Sequence, residues 1–212
     1  MIWLIGDFHG GKNIDGLKRY LSFCRKDDLL IVLGDVGLYF DGTAENEAFS
    51  KWFLSLDCEI AFLDGNHENF DYLNSFPEED WCGGRVRRLS DHIVYLMRGY
   101  IFTIQDKTFL VMGGCKSTDR WKKIGLWWEE EEPNEIELSR AYQNLKKHEN
   151  RIDYIITHKY ECTDEPMESI DHFAKVVDQS THFRHWYCGH WHMEKQIDTR
   201  HSLIYETPIP LK

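Results

Sequence analysis

Five short polar runs of the sequence combine aspartate, asparagine or histidine with a neighbouring apolar segment. Carboxylates, amide oxygens and imidazoles are the donors that divalent metal ions take in proteins. In chain order the runs are Gly6-Asp7-Phe8-His9-Gly10, Gly34-Asp35, Gly65-Asn66-His67-Glu68, Thr157-His158 and Gly189-His190-Trp191-His192. They carry enough donors for two divalent cations, and a pair of cations is a common device for attacking a phosphate ester.

The spacing of these residues suits chelation. Asp7 and His9 are two residues apart, so both side chains can point to the same side of an extended or turning segment and bind one ion. Asp35 follows the next apolar segment, and its carboxylate can bridge two cations about 3.5–4 Å apart. Further donors come from later in the chain: Asn66, His158, His190 and His192. Each run alone is common in turns, and their joint occurrence indicates a metal centre.

Apolar periodicity predicts the elements that would position these runs. Strands are predicted over residues 2–5, 29–33 and 60–63, each ending just before one of the polar runs, with helices over 14–24 and 44–56. Alternating strands and helices predict an α/β sheet. Residues 100–104 and 108–112 are typical of a hairpin, which makes the architecture mixed. Later helices are predicted over 135–147 and 170–177, and later strands over 152–156, 184–188, 195–197 and 203–206.

The composition indicates an ordinary globular chain. With 212 residues, of which 42% are apolar, it can bury a core, and we expect one domain over residues 1–212. A formal charge of −11 argues against a broad nucleic-acid-binding surface, which needs clustered Lys and Arg. The start lacks the pattern of a signal peptide, and no stretch approaches the ~18 apolar residues of a membrane span, so we expect a cytoplasmic protein.

The cysteines do not indicate a metal or redox site. All six lie far apart without a C-x-x-C pair, so we expect most of them to be reduced, buried small residues. They are Cys24, Cys58, Cys82, Cys115, Cys162 and Cys188.

The five runs resemble the signature of the calcineurin-like metallophosphoesterase superfamily, which is Asp-x-His, Gly-Asp, Gly-Asn-His-[Asp/Glu], a histidine after a later strand, and Gly-His-x-His. The resemblance extends from Asp7 to His192. It implies an α/β fold in which two mixed β-sheets pack as a sandwich with flanking helices. It implies a first metal held by Asp7, His9, Asp35 and His192. It implies a second metal held by Asp35, Asn66, His158 and His190.

The second run departs from one branch of that superfamily. The protein Ser/Thr phosphatases continue it as Gly-Asp-x-x-Asp-Arg-Gly, whereas this chain has Leu38 and Tyr39 in place of the aspartate and the arginine. The resemblance is therefore to the small bacterial or phage phosphoesterases. The implied substrate is a small phosphate ester or a nucleotide, as a monoester or a diester, and the oligomeric state does not follow from the sequence.

The resemblance implies a hydrolase in which water, activated by two metal ions, attacks phosphorus. His67 follows Asn66 and is not assigned to a metal, so we expect it to protonate the leaving group as the general acid, alongside the bridging Asp35. Asp64 or Glu68 could orient that imidazole, or either could be a solvated loop charge. Donors of these types suit Mn²⁺, Fe or Zn²⁺, and the resemblance favours Mn²⁺.

Two other functions compete with a phosphoesterase. A chain that keeps this fold only as a scaffold for protein interaction would be expected to lose metal ligands, and the sequence retains the whole set. A binuclear hydrolase of the β-lactamase type would carry a clustered His-x-His-x-Asp-His segment, and the sequence has none.

Substrate contacts are left open by the sequence. The loop 113–120 is either a polar surface turn or a phosphate contact through Lys116 and Arg120, and the acidic run 129–132 is predicted to be a surface loop. One basic cluster is either an anion-steering spot or a solvated face: Arg85, Arg87 and Arg88. One aromatic group is either packing or a cover for a nucleotide: Trp121, Trp127 and Trp128.

Overall fold

Two mixed β-sheets and their flanking helices form the fold in a computed structural model, which describes residues 1–160 and 168–211. The helices are α1 (Ile14–Tyr20), α2 (Ala44–Leu54), α3 (Phe70–Asn74), α4 (Asp119–Lys123), α5 (Glu135–Lys147) and α6 (Ser169–Ser180). The strands are β1 (Ile2–Ile5), β2 (Leu29–Leu33), β3 (Glu59–Leu63), β4 (Glu78–Trp81), β5 (Gly84–Ser90), β6 (Ile93–Leu96), β7 (Ile101–Ile104), β8 (Lys107–Met112), β9 (Tyr154–Thr157), β10 (His185–Cys188), β11 (Lys195–Gln196), β12 (His201–Leu203) and β13 (Ile209–Pro210).

Each sheet has a parallel centre and antiparallel edges. The first sheet has the order β13-β1-β2-β3-β6-β5-β4, and the second has the order β11-β12-β10-β9-β8-β7. Strands β1, β2, β3 and β6 are parallel in the first sheet, and β8, β9, β10 and β12 are parallel in the second. The predicted fold class, a sandwich of two mixed sheets with flanking helices, is confirmed. Within the described residues, no helix is long and apolar enough to cross a membrane.

The residues of β2 show how the layers are held together. Ile31 packs in the cluster between the two sheets, with Val111 and Ile156 of the second sheet. Its neighbour Val32 points the other way, into the cluster under α1 and α2 that contains Phe53. A third cluster joins α5 and α6 to the outer face of the second sheet. Every residue of β2 is buried, which explains why this strand is apolar throughout instead of alternating.

Several element boundaries follow the sequence prediction closely. Strands β1 and β2 and helix α5 begin and end where predicted, and α5 starts with a capping box formed by Asn134 and Glu137. Helix α1 ends at Tyr20, earlier than predicted, because a 3-10 turn over Leu21–Phe23 leads the chain towards β2. Strand β9 begins later than predicted because the Asp153 carboxylate accepts hydrogen bonds from the neighbouring strand β8 instead.

The hairpin of β4 and β5 was not predicted, because opposite charges hold it instead of apolar alternation. Glu78 stands opposite Arg87, and Asp80 stands opposite Arg85, in the strand register. These pairs are close enough for ion pairs, at 3.1 Å in both cases. Such cross-strand pairs stabilise a sheet modestly. The arginine cluster is therefore largely compensated by the acidic strand, which leaves little charge to steer an anion.

The cysteines behave as small packing residues where the structure describes them. Cys58, Cys115 and Cys188 are buried, and the five cysteines of the described ranges are all free thiols. Cys162 lies outside the described residues.

Candidate metal centre

The five polar runs follow the carboxyl ends of parallel strands from both sheets. In the first sheet, β1, β2 and β3 end just before Asp7, Asp35 and Asn66. In the second sheet, β9 ends just before His158, and β10 ends just before His190. The carboxyl ends of parallel strands meet at one edge, where ligands of open α/β sheets usually bind. The packing of the two sheets brings both edges together.

One group of four donors converges tightly. Asp7, His9, Asp35 and His192 each have a ligand atom within 4.8 Å of those of the others. The Nε2 atoms of His9 and His192 are 2.6 Å apart. His9 Nε2 is 3.4 Å from Asp35 Oδ2, and His192 Nε2 is 3.8 Å from Asp7 Oδ1. Two carboxylates and two imidazoles that converge in this way form a donor set suited to a divalent cation.

A second group lies around His158. Its Nε2 is 3.2 Å from Asn66 Oδ1 and 3.4 Å from Asp35 Oδ1. Its Nδ1 lies 2.9 Å from the Leu33 carbonyl oxygen, which can only accept, so Nδ1 carries a proton and donates it there. The His190 ring is 5.1 Å from the His158 ring. The structure therefore places Asn66, His158 and His190 next to the first group, whereas ligand atoms that all lie within 4.8 Å of one another are found for Asp7, His9, Asp35 and His192.

Asp35 lies between these two groups. Its Oδ2 faces His9, whereas its Oδ1 faces His158, and both distances are 3.4 Å. Oδ1 also accepts a hydrogen bond of 2.7 Å from the backbone N–H of His67. One carboxylate with its two oxygens turned to different donor groups is the arrangement that a bridging ligand requires.

Burial and neighbouring charges together set the pKa values of these residues. Burial lowers the pKa of His9 and of His190 to about 3, so both rings are neutral and can offer a lone pair to a cation. It raises the pKa of Asp7 to about 8. Burial alone would raise the pKa of Asp35, but His158 beside it holds that pKa well below its usual range. Burial likewise opposes protonation of His158, but Asp35 raises the pKa of His158 to about 10. A positive charge is therefore favoured next to Asp35, which fits a cation site.

The backbone of the candidate ligands is strained. Left-handed φ values occur at five of them: Asp7 (56°), His9 (47°), Asp35 (52°), His190 (69°) and His192 (49°). Residues other than glycine rarely adopt this conformation, and each instance costs about 1–3 kcal/mol. Gly34, with φ at 92°, adds a close approach, because a Cβ there would lie 2.3 Å from His158 Nδ1. Clustered strain of this kind is typical of functional sites.

The predicted general acid, His67, borders the donor groups without joining them. Its ring centroid is 5.0 Å from the ring of His9. The His67 ring also contacts two aromatic rings, with centroid distances of 4.4 Å to Trp121 and 5.4 Å to Phe40. Burial lowers the pKa of His67 below its ordinary value of 6.5. The imidazole is partly exposed, so a substrate can reach it.

The two carboxylates considered as orienting groups for His67 are fully buried, so neither is a solvated loop charge. Glu68 accepts the backbone N–H groups of Val36 and Gly37, at 2.8 and 3.0 Å. Asp64 accepts a hydrogen bond of 2.9 Å from Arg98 Nε. Glu68 therefore fixes the loop that follows Asp35, whereas Asp64 ties the segment before Asn66 to the side chain of Arg98.

Sequence reasoning missed a buried network behind Asn66. Asn66 Nδ2 donates to Ser117 Oγ at 3.0 Å, and the Ser117 N–H donates to Glu131 Oε2 at 3.1 Å. Burial raises the pKa of Glu131 to about 7. The prediction that 129–132 is a surface loop is wrong at Glu131, which is only 1% exposed and lies in a 3-10 turn over Glu129–Glu131. Ser117 lies 51 residues from Asn66, so no local sequence motif could predict their contact.

Comparisons with known proteins place the chain in a family. The family model for calcineurin-like phosphoesterases matches residues 1–194, nearly the whole chain. A search of curated proteins finds no match. One similar solved structure is a protein of unknown function from Aquifex aeolicus, with 17% identity and a TM-score of 0.43, covering 86% of this chain and 87% of that one. The chain therefore belongs to the calcineurin-like phosphoesterase family, a family of metal-dependent hydrolases.

Proposed function

We propose that the chain hydrolyses a phosphomonoester or phosphodiester at a centre of two divalent cations. The position of Asp35 carries this proposal, because its Oδ2 and Oδ1 each lie 3.4 Å from a histidine of a different donor group. The first cation would be held by Asp7, His9, Asp35 and His192. The second would be held by Asp35, Asn66, His158 and His190.

Mn²⁺ is our first choice of ion, with Fe or Zn²⁺ as the alternatives that the same donors accept. When bound, two such ions would polarise the phosphoryl oxygens and make water a nucleophile at neutral pH. The substrate we propose is a small phosphate ester or a nucleotide. Leu38 supports this choice over a phosphoprotein, because it replaces the aspartate of the protein phosphatases and packs, 1% exposed, in the core under α2.

His67 is proposed to protonate the leaving alkoxide. Its backbone N–H donates to Asp35 Oδ1, which fixes the position of His67 relative to the proposed bridging ligand. Its ring lies beside His9 and borders an open pocket, so the imidazole can approach the leaving oxygen of a bound ester. Geometry of this kind is the first requirement for a general acid.

Replacing His67 by alanine tests the assigned role. We expect His67→Ala to lower kcat by about 10²–10⁴-fold, the usual contribution of a positioned acid or base. Metal content, measured by elemental analysis, should stay near two ions per chain, because His67 is not a proposed ligand. Full activity of His67→Ala would remove the residue from this role.

The same assay tests the activity itself. The Mn²⁺-loaded protein is offered aryl phosphate monoesters and diesters, nucleotides, cyclic nucleotides, sugar phosphates and a phosphoprotein. We expect turnover of at least one small ester. Lack of turnover with every substrate and every divalent ion would favour the scaffold that has lost catalysis.

Ser117 is proposed to position the side chain of Asn66. Because Ser117 Oγ accepts from Asn66 Nδ2, the amide oxygen is turned towards His158. We expect Ser117→Ala to weaken binding of one of the two ions by about 10–100-fold, the usual effect of losing a hydrogen bond to a metal ligand. Calorimetric titration with Mn²⁺ would measure it.

Two variants control this experiment. Ser117→Thr keeps the hydroxyl and should bind both ions as the unmodified protein does. Ser55→Ala removes an exposed hydroxyl that donates to the Trp52 carbonyl at its own helix end, and it should change neither affinity. Equal affinities in Ser117→Ala and Ser55→Ala would show that Asn66 needs no support from Ser117.

A further inference from the structure

A small pocket opens beside the proposed general acid. Its volume is about 50 Å³, and its lining includes His67, Phe40, Trp121 and Lys12. That volume holds about four water molecules, so the pocket can contact one face or edge of a small group but cannot enclose a polypeptide segment. The pocket therefore suits a compact chemical group.

Four of the residues that line this pocket carry rings, namely His9, Phe40, His67 and Trp121, and the others are Lys12, Gly37, Asp41 and Asn46. The Trp121 centroid lies 4.4 Å from the His67 ring and 5.9 Å from the Phe40 ring. Trp128 packs behind this pocket, with its ring 5.8 Å from that of Phe40, and its Nε1 donates to Asp71 Oδ2 at 3.0 Å. Phe40 and Trp121 come from separate parts of the chain, one after β2 and one in α4.

These rings are not part of the core. Phe40, Trp121 and Trp128 lie outside the three apolar clusters that hold the sheets and helices together, and each keeps part of its surface exposed. Partly exposed rings grouped around a polar catalytic side chain are typical of a ligand pocket, whose walls are apolar with a few placed polar groups. Packing alone does not explain why Trp121 and Phe40 both contact His67.

The position of His67 decides which part of a substrate would meet these rings. A general acid must come within hydrogen-bond distance of the leaving oxygen, so the group attached to that oxygen lies next to His67. Phe40 and Trp121 are the neighbours there. Lys12 and Asp41, both exposed, also line the pocket, so its wall carries one positive and one negative charge beside the proposed ester.

We propose that Phe40 and Trp121 bind a flat aromatic ring carried by the leaving group of the substrate. This inference rests on the proposed function, with His67 as the general acid. The shared chemistry is an aromatic ring a short distance from the leaving oxygen, as in a nucleoside phosphoester or a benzylic phosphoester. Stacking of such a ring on an aromatic side chain adds affinity without requiring a particular ring.

The test compares esters that differ only in the ring. A nucleoside 5′-phosphate is compared with ribose 5-phosphate, and benzyl phosphate is compared with ethyl phosphate, each also as its methyl diester. Within each pair the leaving alkoxides are chemically similar. We expect kcat/KM of the Mn²⁺-loaded full chain to be about tenfold or more higher for the ester with the ring, which corresponds to the usual strength of base stacking. The pair with the larger ratio identifies the source of the ring.

Variants assign the preference to the pocket. Trp121→Ala should lower the ratio of kcat/KM between the ring-bearing and the ringless ester by about tenfold, and Trp121→Phe should restore most of that ratio. Trp127→Ala is the matched control, because Trp127 lines a separate cavity of about 630 Å³ and packs against Lys122. It should leave the ratio unchanged.

The failures can be told apart. Turnover of both esters with a ratio near one, or an equal loss on both esters in Trp121→Ala, would overturn the aromatic pocket and leave the phosphoesterase assignment intact. Lack of turnover of every ester would overturn both.

Discussion

Asp35→Asn is expected to abolish binding of both metal ions while leaving the fold intact. The substitution keeps an oxygen that can accept the His67 N–H, but it removes the negative charge that faces His9 and His158 at once. Because loss of even an indirect contact to a metal ligand costs about 10–100-fold in affinity, loss of a ligand shared by two ions should cost more at both positions. Hydrolysis should fall to background.

The measurement is elemental analysis after dialysis, together with circular dichroism to verify the fold. Asp91→Asn is the matched control, because Asp91 is an exposed aspartate in the turn between β5 and β6. It should retain both ions and full activity. Two tightly bound ions in Asp35→Asn would contradict the bridging role.

Arg98→Met is expected to have the largest effect on stability. Arg98 is 3% exposed, donates to the fully buried Asp64 through Nε at 2.9 Å, and donates to Glu137 of α5 through Nη1 at 3.1 Å. Burial would lower the pKa of Arg98, but the Asp64 charge raises it above its usual range. Without the guanidinium, Asp64 would be a buried charge lacking its main partner. The free energy of unfolding should fall by about 3–5 kcal/mol.

Urea unfolding of the metal-free protein would measure this change. Arg85→Met is the matched control, because Arg85 makes its ion pair on the exposed hairpin of β4 and β5. Exposed pairs contribute about 0–1 kcal/mol. The double variant Arg98→Met with Asp64→Asn should recover part of the loss, since it removes the unpaired charge as well. A loss in Arg98→Met no greater than that in Arg85→Met would show that the buried pair is not needed.

The sequence predicts those parts of the fold that local patterns determine. β2 is apolar at every position because both of its faces are covered, so its ends are visible in the sequence. Helix α5 begins at a capping box, which is also a local signal. The hairpin of β4 and β5 could not be found by apolar periodicity, because its register depends on charge pairs between Glu78–Trp81 and the following strand. The sequence signal in its turn is glycine, since Gly83 adopts a positive φ of 91° there.

The residues of the candidate site likewise fall into those that the sequence predicts and those that it does not. The donors follow strand ends, and strand ends are visible in the sequence, so Asp7, Asp35 and His158 could be named in advance. Ser117, Glu131 and Arg98 could not, because they reach the site through contacts between distant segments. The residues that flank them in the sequence form no recognisable motif. Their partners become visible only when the two sheets are packed together.

The left-handed backbone of the candidate ligands affects which substitutions can accumulate at these positions during evolution. Positions with φ between 47° and 69° are those at which glycine or asparagine would relax the main chain. A sequence selected for folding stability alone would favour glycine there, and each such substitution would remove a metal donor in exchange for a less strained backbone. The aspartates and histidines at these positions therefore lower the stability of the fold, and they are retained because they can coordinate a cation.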